Sequence, residues 1–221
     1  MKFTREEMAK YLAATPSRNL CPATILIQRA HDHKPHPVPL EEIEHYFKIT
    51  YRPFLTFPSQ ELFNWTLGQC PYLLRNARLA EENHALFKLH QHALDTAYLV
   101  PMSIRWINPI KCYGAFAEET LEQGEFIAEY TGLVRRLSRL NKETNPYCFH
   151  YPTRFWSFHY VAIDAEKQGN LSRFFNHSNE PNLQPHCLVD CNLLHTVFVA
   201  KRTIARGEEL TFNYGYALKP L

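Results

Sequence analysis

Two short segments in the second half of the chain carry the residue types that could perform chemistry. The first, GNLSRFFNHSNEPN at residues 169–182, places Asn, His and Ser directly after two aromatic residues. The second, EELTFNYGY at residues 208–216, has rings at the alternate positions Phe212, Tyr214 and Tyr216. Alternate side chains of a strand lie on one face, so these rings are expected to line one surface. Together the segments predict an aromatic-walled slot beside a polar stretch of backbone.

Other familiar site types are not indicated. Neither segment has the pattern of a hydrolase nucleophile elbow, a phosphate-binding loop or a zinc knuckle. The histidines and cysteines of residues 186–195 do not match the common paired-ligand spacings of zinc sites, so we expect two strands and a turn there. The histidine- and proline-rich residues 31–39 are expected to form an irregular, solvated loop. No metal site is therefore predicted.

The composition is that of a nearly neutral protein. The chain has 221 residues, a formal net charge of +2 and six cysteines without a disulfide-framework spacing, which favours a reducing compartment. No global field attracts nucleic acid or an acidic membrane, and neither partner is expected. No apolar run reaches the ~18 residues of a membrane span. The charged N-terminus lacks the apolar core of a Sec signal peptide.

The first hundred residues are predicted to be mainly helical, and to pack against or dimerise over the C-terminal half. Thr4 with Glu7 has the form of a capping box, and Ser59 could cap a later helix. A longer helix is predicted after Pro71, to about residue 95. The apolar faces of the four predicted helices are Met8, Tyr11 and Leu12; Leu40, Ile43 and Phe47; Leu62, Phe63 and Leu67; and Leu79, Leu86, Leu89 and Ala93.

Beyond about residue 100, short strand-like runs separated by turns predict a β-rich domain. The runs lie at residues 103–107, 114–117, 126–131, 147–151, 157–163, 196–200 and 210–214. The predicted fold class is α+β, with a helical region over residues 1–100, a β-rich domain over 101–216 and a tail over 217–221.

Several motifs of this half resemble those of SET-domain protein lysine methyltransferases. They are YGAFAEETLEQGEFIAEYTG, YVAIDAEKQGNLSRFFNHSNEPN and RGEELTFNYGY, and they occur in the order and spacing of a SET domain. The segments WIN, YTG, YCFHYP and FFNHSNEPNL are most similar to small stand-alone SET proteins of chlamydia-like bacteria. The resemblance implies small curved sheets around a pseudoknot, in which the NHS segment passes beneath the final strand. It also implies S-adenosyl-L-methionine as the cofactor.

The resemblance assigns roles to individual residues. Tyr214 matches the catalytic tyrosine, and Tyr130, Phe212 and Tyr216 match residues of the lysine channel. The residues that match cofactor contacts are Tyr113, Gly114, Tyr147, Arg173, Asn176, His177 and Tyr214. A phenylalanine at 212 lacks the tyrosine hydroxyl that holds a water in the space for further methyl groups, which implies di- or trimethylation. Cys112 stands at the first glycine of the family's G-x-G loop, and Asn213 replaces the commoner aspartate.

The resulting expectation is methyl transfer to a lysine of a histone or histone-like protein, in a bacterial cytoplasm or after secretion into a host cell and its nucleus. Two alternatives stay open: a catalytically weak binding module, suggested by Cys112 and Asn213, and a methyltransferase for a bacterial non-histone protein. The printed sequence ends shortly after Tyr216, without a trailing cysteine-rich module. We therefore expect the remaining wall of the lysine channel to be formed by the tail, the N-terminal helices or the second subunit of a homodimer.

Overall fold

The computed structural model of the chain describes residues 3–12, 20–68, 77–138, 145–151 and 159–215. The helices are α1 (Arg5–Leu12), α2 (Leu40–Phe47), α3 (Gln60–Leu67) and α4 (Ala77–Asp95). The strands are β1 (Thr24–Gln28), β2 (His36–Pro39), β3 (Thr50–Tyr51), β4 (Met102–Asn108), β5 (Cys112–Ala117), β6 (Phe126–Glu129), β7 (Leu133–Ser138), β8 (Cys148–Tyr151), β9 (His159–Asp164), β10 (Gln168–Gly169), β11 (Asn176–His177), β12 (Leu183–Asp190), β13 (Leu193–Ala200) and β14 (Thr211–Phe212). A 3₁₀ turn covers Leu171–Phe174.

Two predicted helix caps are confirmed by their hydrogen bonds. The backbone N–H of Thr4 donates to the Glu7 carboxylate at 2.7 Å, and the N–H of Glu7 donates to the Thr4 hydroxyl at 3.2 Å. At the start of α3, the Ser59 hydroxyl accepts from the N–H of Leu62 at 3.1 Å. Each cap satisfies backbone donors that have no partner within the first helical turn.

The mainly helical prediction for the first hundred residues is only partly right, because β1, β2 and β3 also lie there. Residues 36–39 form β2 rather than a loop. Val38 is buried and packs in the core, whereas Pro37 and Pro39 lie on a strand at the edge of its sheet. Proline is tolerated on an edge strand, since a missing N–H there breaks no ladder. Because the two prolines are typical of a loop, the sequence did not indicate this strand.

The predicted buried face of α4 is also partly wrong. Leu86 and Ala93 pack against the core as expected, but Leu89 is 73% exposed. His90 and Leu94 occupy the buried face instead. On a helix of 3.6 residues per turn, positions 86, 90, 93 and 94 share one face and position 89 lies to its side. The Leu79 side chain lies outside the described ones.

The N-terminal strands extend a sheet of the β-rich half. The strand order is β2-β1-β4-β5, with β1 parallel to β4 and β4 antiparallel to β5. Ile27 pairs with Ile104, and both side chains are fully buried. The N-terminal segment thereby shares its core with the segment that carries the predicted site, and it places α2 near that site.

The predicted strand runs of the C-terminal half each contain a strand, within the described residues. The runs missed β7, β10, β11 and β12. Residues 186–195 form two antiparallel strands, as predicted, with Cys191 and Asn192 in left-handed conformations at the turn between β12 and β13. Two left-handed residues are typical of a tight hairpin turn. Across the described ranges, His, Cys, Asp and Glu side chains form no group able to hold a metal ion.

The two segments identified from the sequence meet directly. β11 pairs in parallel with β14, so Asn176 lies opposite Thr211 and His177 opposite Phe212. The buried side chain of Asn182 reinforces the junction: its oxygen accepts from the N–H of Thr211 at 2.9 Å, and its amide donates to the Glu209 carbonyl at 2.8 Å. In the part of the chain that the structure describes, no helix has the length and apolarity to cross a membrane.

Candidate active site

His177 is held in one orientation by the last strand. The backbone N–H of Tyr214 donates to His177 Nδ1 at 3.1 Å, and the two rings lie 5.3 Å apart. Because an amide N–H can only donate, Nδ1 accepts and the ring proton lies on Nε2. Nε2 then donates to Asn179 Oδ1 at 3.2 Å. The histidine thus fixes the backbone from which the Tyr214 side chain projects.

The Tyr214 hydroxyl lies at the centre of the candidate site. It donates to the carbonyl oxygen of Phe175 at 3.0 Å. Burial, together with smaller contributions from the nearby Tyr147 and Glu209, raises the pKa of Tyr214 to about 12. The hydroxyl therefore keeps its proton throughout the physiological range and serves as a hydrogen-bonding group, not as a general base.

Aromatic rings pack around Phe212, next to Tyr214. The Phe212 ring is buried, with centroid distances of 4.8 Å to Tyr214, 4.8 Å to Phe198 and 6.1 Å to Phe149. Tyr130 is also buried, and its ring lies 5.5 Å from that of Phe149. We call these five residues the aromatic cluster. Phe149 and Phe198 were not predicted as site residues.

The Tyr130 hydroxyl is hydrogen-bonded to a residue outside this cluster. Its hydroxyl donates to the carbonyl oxygen of Tyr147 at 2.7 Å. Burial raises its pKa well above the ordinary value, and Tyr214 adds to the effect, so this hydroxyl is also protonated. Tyr216, the third predicted channel residue, lies outside the described residues.

A cavity of about 240 Å³ adjoins Tyr214. Its lining residues are Phe47, Lys111, Cys112, Tyr113, Pro146, Tyr147, Arg173, Phe174, Asn176 and Tyr214. Five of the predicted cofactor residues are among them: Tyr113, Tyr147, Arg173, Asn176 and Tyr214. Gly114 and His177 do not line the cavity. Gly114 lies behind the cavity wall, and His177 supports the backbone of Tyr214.

Arg173 brings a positive charge to this cavity. Its Nε donates to the Ala165 carbonyl at 2.8 Å, and its terminal nitrogen donates to the Glu166 carbonyl at 3.2 Å. The guanidinium carbon lies 4.4 Å from the Tyr147 ring centroid and 4.9 Å from that of Phe174. Such ring contacts are attractive for a cation. Burial lowers the pKa of Arg173, but a guanidinium remains charged.

A hydrogen-bonded bridge joins β5 to the last segment behind the cavity. The Asn176 side-chain amide donates to the Tyr113 carbonyl at 3.1 Å and to Glu209 Oε1 at 2.8 Å. Lys111 Nζ lies 3.3 Å from Glu209 Oε2. A Cβ on Gly114 would lie 2.8 Å from both Asn176 Nδ2 and Glu209 Oε1. A side chain at 114 would therefore have to displace the ends of the Asn176 and Glu209 side chains that form the bridge.

Cys112 adopts a backbone conformation that favours glycine. It ends the turn between β4 and β5 with φ of 57°, and its side chain is exposed at the cavity. A left-handed residue closing such a turn is commonly glycine. The glycine that the resembling family has at this position is therefore explained by the turn itself.

Replacing Cys112 with glycine is expected to stabilise the protein by about 0.5–1 kcal/mol. The left-handed conformation costs an L-residue about 1–2 kcal/mol, and the extra unfolded-state freedom of glycine returns roughly 0.5–1 kcal/mol of this. Thermal unfolding should show a midpoint a few degrees higher. Cys112→Ala is the matched control, since it removes the thiol and keeps the strain. A glycine variant that melts no higher than the alanine variant would contradict the prediction.

The comparison with known families finds one matched region, which contains the β11–β14 pair and Tyr214. Residues 112–215 match the SET domain, and we call this range the SET segment. The SET segment includes β5 to β14, and its parallel β11–β14 pair builds the site.

Known proteins similar to this chain carry methyltransferase names. Histone-lysine N-methyltransferase 2B of Homo sapiens is 28% identical over 179 residues, covering 72% of this chain and 6% of that protein. Histone-lysine N-methyltransferase SUV39H1 of Xenopus laevis is 32% identical over 117 residues, covering 49% of this chain and 28% of that protein. The chain spans less than a third of the length of either relative.

A solved structure supports the SET fold. The crystal structure of ATXR5 in complex with mono-methylated histone H3.1 has a TM-score of 0.58 to this chain, with 19% identity. The match covers 79% of this chain and 85% of that one. The likeness therefore extends beyond the SET segment into the N-terminal region, and it concerns the fold alone.

Proposed function

We propose that this chain is an S-adenosylmethionine-dependent protein-lysine N-methyltransferase. The observation that carries the proposal is that Tyr214 belongs both to the lining of the cavity and to the aromatic cluster. Its side chain lines the cavity with Arg173, and its ring lies 4.8 Å from Phe212 of the aromatic cluster. The cavity suits a polar cofactor, and the ring faces of the cluster suit contact with the aliphatic stem of a lysine. The histone-lysine N-methyltransferase names of proteins similar to the SET segment support this assignment.

The residues around the cavity fit the chemistry of S-adenosylmethionine, which has a purine, a sulfonium cation and an amino-acid end. The aromatic faces of Tyr113, Tyr147 and Phe174 suit a flat base and a cation. The charged ends of Arg173 and Lys111 suit a carboxylate. When bound, the cofactor supplies an electrophilic methyl group.

The aromatic cluster acts on the protonation of the acceptor lysine. A lysine has a pKa near ~10.4 in water and must lose its proton to solvent before it can act as a nucleophile. Burial among Tyr130, Phe149 and Phe212 disfavours the charged ammonium, while the ring faces partly offset this effect. Tyr214 does not take the proton, because its own hydroxyl remains protonated.

Tyr214 contributes by orientation and by hydrogen bonding. Its hydroxyl oxygen and the Phe175 carbonyl lie 3.0 Å apart and form a fixed pair of oxygens at the junction. Such oxygens can hold a polarised methyl group through weak C–H···O contacts. Good alignment of two reactants can contribute about 7–11 kcal/mol to a rate at the extreme. The site is thus built for an in-line displacement without a protein base.

For the substrate we propose a histone or histone-like protein, on the strength of the relatives' names. From the YCFHYP and FFNHSNEPNL segments we also propose a bacterial origin and action on host chromatin. A non-histone bacterial protein is the alternative substrate. A weak binding module is favoured by one observation, the strained Cys112 at the cavity.

The proposal is tested by incubating the chain with S-adenosylmethionine carrying a labelled methyl group, once with purified histones and once with a bacterial extract. We expect methyl-lysine in the histones, identified by mass spectrometry. Label confined to the extract would indicate a bacterial substrate. Cofactor binding by calorimetry with no transfer to either would indicate a binding module.

Phe212 is expected to permit di- or trimethylation, and Phe212→Tyr to shift the product toward monomethyl-lysine. The Phe212 ring is buried in the aromatic cluster, so a new hydroxyl would hold a water in the space that successive methyl groups need. Mass spectrometry of product after extended reaction measures the shift. Phe87→Tyr makes the same chemical change on α4 and should leave the product distribution unchanged. A wild-type enzyme that yields monomethyl-lysine alone would contradict the prediction.

A further inference from the structure

Helix α2, outside the SET segment, reaches the cavity with its last residue. The Phe47 side chain is half-buried and lines the cavity beside Tyr113 and Phe174. Its ring centroid lies 5.0 Å from that of Tyr113 and 4.9 Å from that of Phe174, in both cases edge to face. Phe47 therefore completes a corner of three rings in which two belong to the SET segment and one to the N-terminal region.

The chain immediately after Phe47 is fixed to the SET segment. Lys48 ends α2 in a left-handed conformation, with φ of 53°. β3 follows and pairs in parallel with β10, so that Tyr51 lies opposite Gly169. The N–H of Thr50 donates to the Lys167 carbonyl at 2.8 Å. Since β10 leads directly into the 3₁₀ turn that carries Arg173 and Phe174, the position of Phe47 is tied to the same backbone.

A second set of contacts ties α2 to β5. The hydroxyls of Tyr46 and Tyr113 lie 2.7 Å apart, within hydrogen-bond distance. The Arg29 guanidinium lies 5.2 Å from the Tyr46 ring centroid and 2.6 Å from the Glu42 carboxylate. Tyr46 and Phe47 both pack against the Tyr113 ring, and their own ring centroids lie 4.9 Å apart. Phe47 is thus anchored from two directions.

We infer that Phe47 is a cofactor-binding residue, and that α2 forms a wall of the cofactor site. This inference rests on the proposed methyltransferase function. The ring corner offers an apolar face next to the charged Arg173, whose guanidinium carbon lies 4.9 Å from the Phe174 ring centroid. A bound S-adenosyl group would place its apolar parts against Phe47 and exclude water from that side. The N-terminal region then has a direct role in binding as well as a structural one.

The test is isothermal titration calorimetry of the full chain with S-adenosylhomocysteine. Phe47→Ala is expected to weaken binding by about tenfold, the order of one well-packed aromatic contact. The control is Tyr98→Ala, which removes a more exposed ring that lies outside the cavity lining. Tyr98→Ala is expected to bind as the wild type does.

The possible outcomes separate this inference from the proposed function. A wild-type chain that binds no S-adenosylhomocysteine would contradict the proposed function itself. Wild-type binding with an equal dissociation constant for Phe47→Ala would overturn the role of Phe47 alone. If Phe47→Ala lowers the melting temperature strongly, Phe47→Leu retains apolar volume at the helix end without the ring. Unchanged affinity in that folded variant would also overturn the inference, and an intermediate loss would support it.

Discussion

Replacing Tyr214 with phenylalanine is expected to lower the rate of the proposed methyl transfer about 10²- to 10³-fold, the usual effect of removing one preorganised hydrogen-bonding group from a reaction centre. The substitution removes the hydroxyl that donates to the Phe175 carbonyl at 3.0 Å. The ring contacts to Phe212 at 4.8 Å and His177 at 5.3 Å remain. The variant should therefore fold normally and lose rate.

The measurement is the initial rate of labelled methyl incorporation into histone, with circular dichroism and thermal unfolding to establish the fold. Tyr98→Phe removes a hydroxyl from a tyrosine that is 43% exposed and outside the cavity lining, so its rate should match that of the wild type. A Tyr214→Phe rate within threefold of wild type would show that the hydroxyl is dispensable and that alignment comes from the rings alone.

Gly114→Ala is expected to destabilise the protein by about 1–3 kcal/mol, the usual cost of overpacking. The new methyl group would lie 2.7 Å from Ile107 Cδ1 and 2.8 Å from both partners of the Asn176–Glu209 hydrogen bond. Relief of these clashes requires the bridge between β5 and the last segment to open. Cofactor affinity should fall together with stability, because Tyr113 and Asn176 both line the cavity.

Thermal unfolding measures the first effect, at about 2–4 °C per kcal/mol for a chain of this size, and calorimetry with S-adenosylhomocysteine measures the second. Gly68→Ala is the control. Gly68 has ordinary right-handed angles, and the nearest contact of a new Cβ is 3.2 Å, to the Trp65 carbonyl of its own helix. We expect a small change there. Equal melting temperatures for the two variants would show that the bridge yields without cost.

The parts of the site that the sequence revealed lie in two short segments with strong local patterns. The alternate rings of Phe212, Tyr214 and Tyr216 predicted one lined surface, and the polar run around Asn176 predicted its neighbour. The resemblance to SET proteins then added their order and spacing. The structure brings both segments together through the β11–β14 pair. It also places Arg173 and Tyr113, which the resemblance assigned to the cofactor, at one cavity.

The residues that sequence reasoning missed reach the site through long-range contacts. Phe47 was assigned to a buried helical face, which gave its burial but not its partners. Glu209 carries no pattern of its own, and its role follows from the position of Asn176 across the bridge. Phe149 lay in a predicted strand, where strand alternation alone identified no cavity or cluster. Such contacts depend on the tertiary fold and leave no periodic signal.

The parallel pairing of β1 with β4 has a consequence for how the protein folds. Ile27 and Ile104 are far apart in the sequence, so their contact requires closure of a long loop before any strand–strand energy is gained. Contacts of this kind slow folding, and parallel pairings are among the slowest. β3 and β10 are joined in the same way at Tyr51 and Gly169. During synthesis the edge of β1 that pairs with β4 therefore stays exposed until β4 has emerged, and β3 must wait until β10 in the SET segment has emerged.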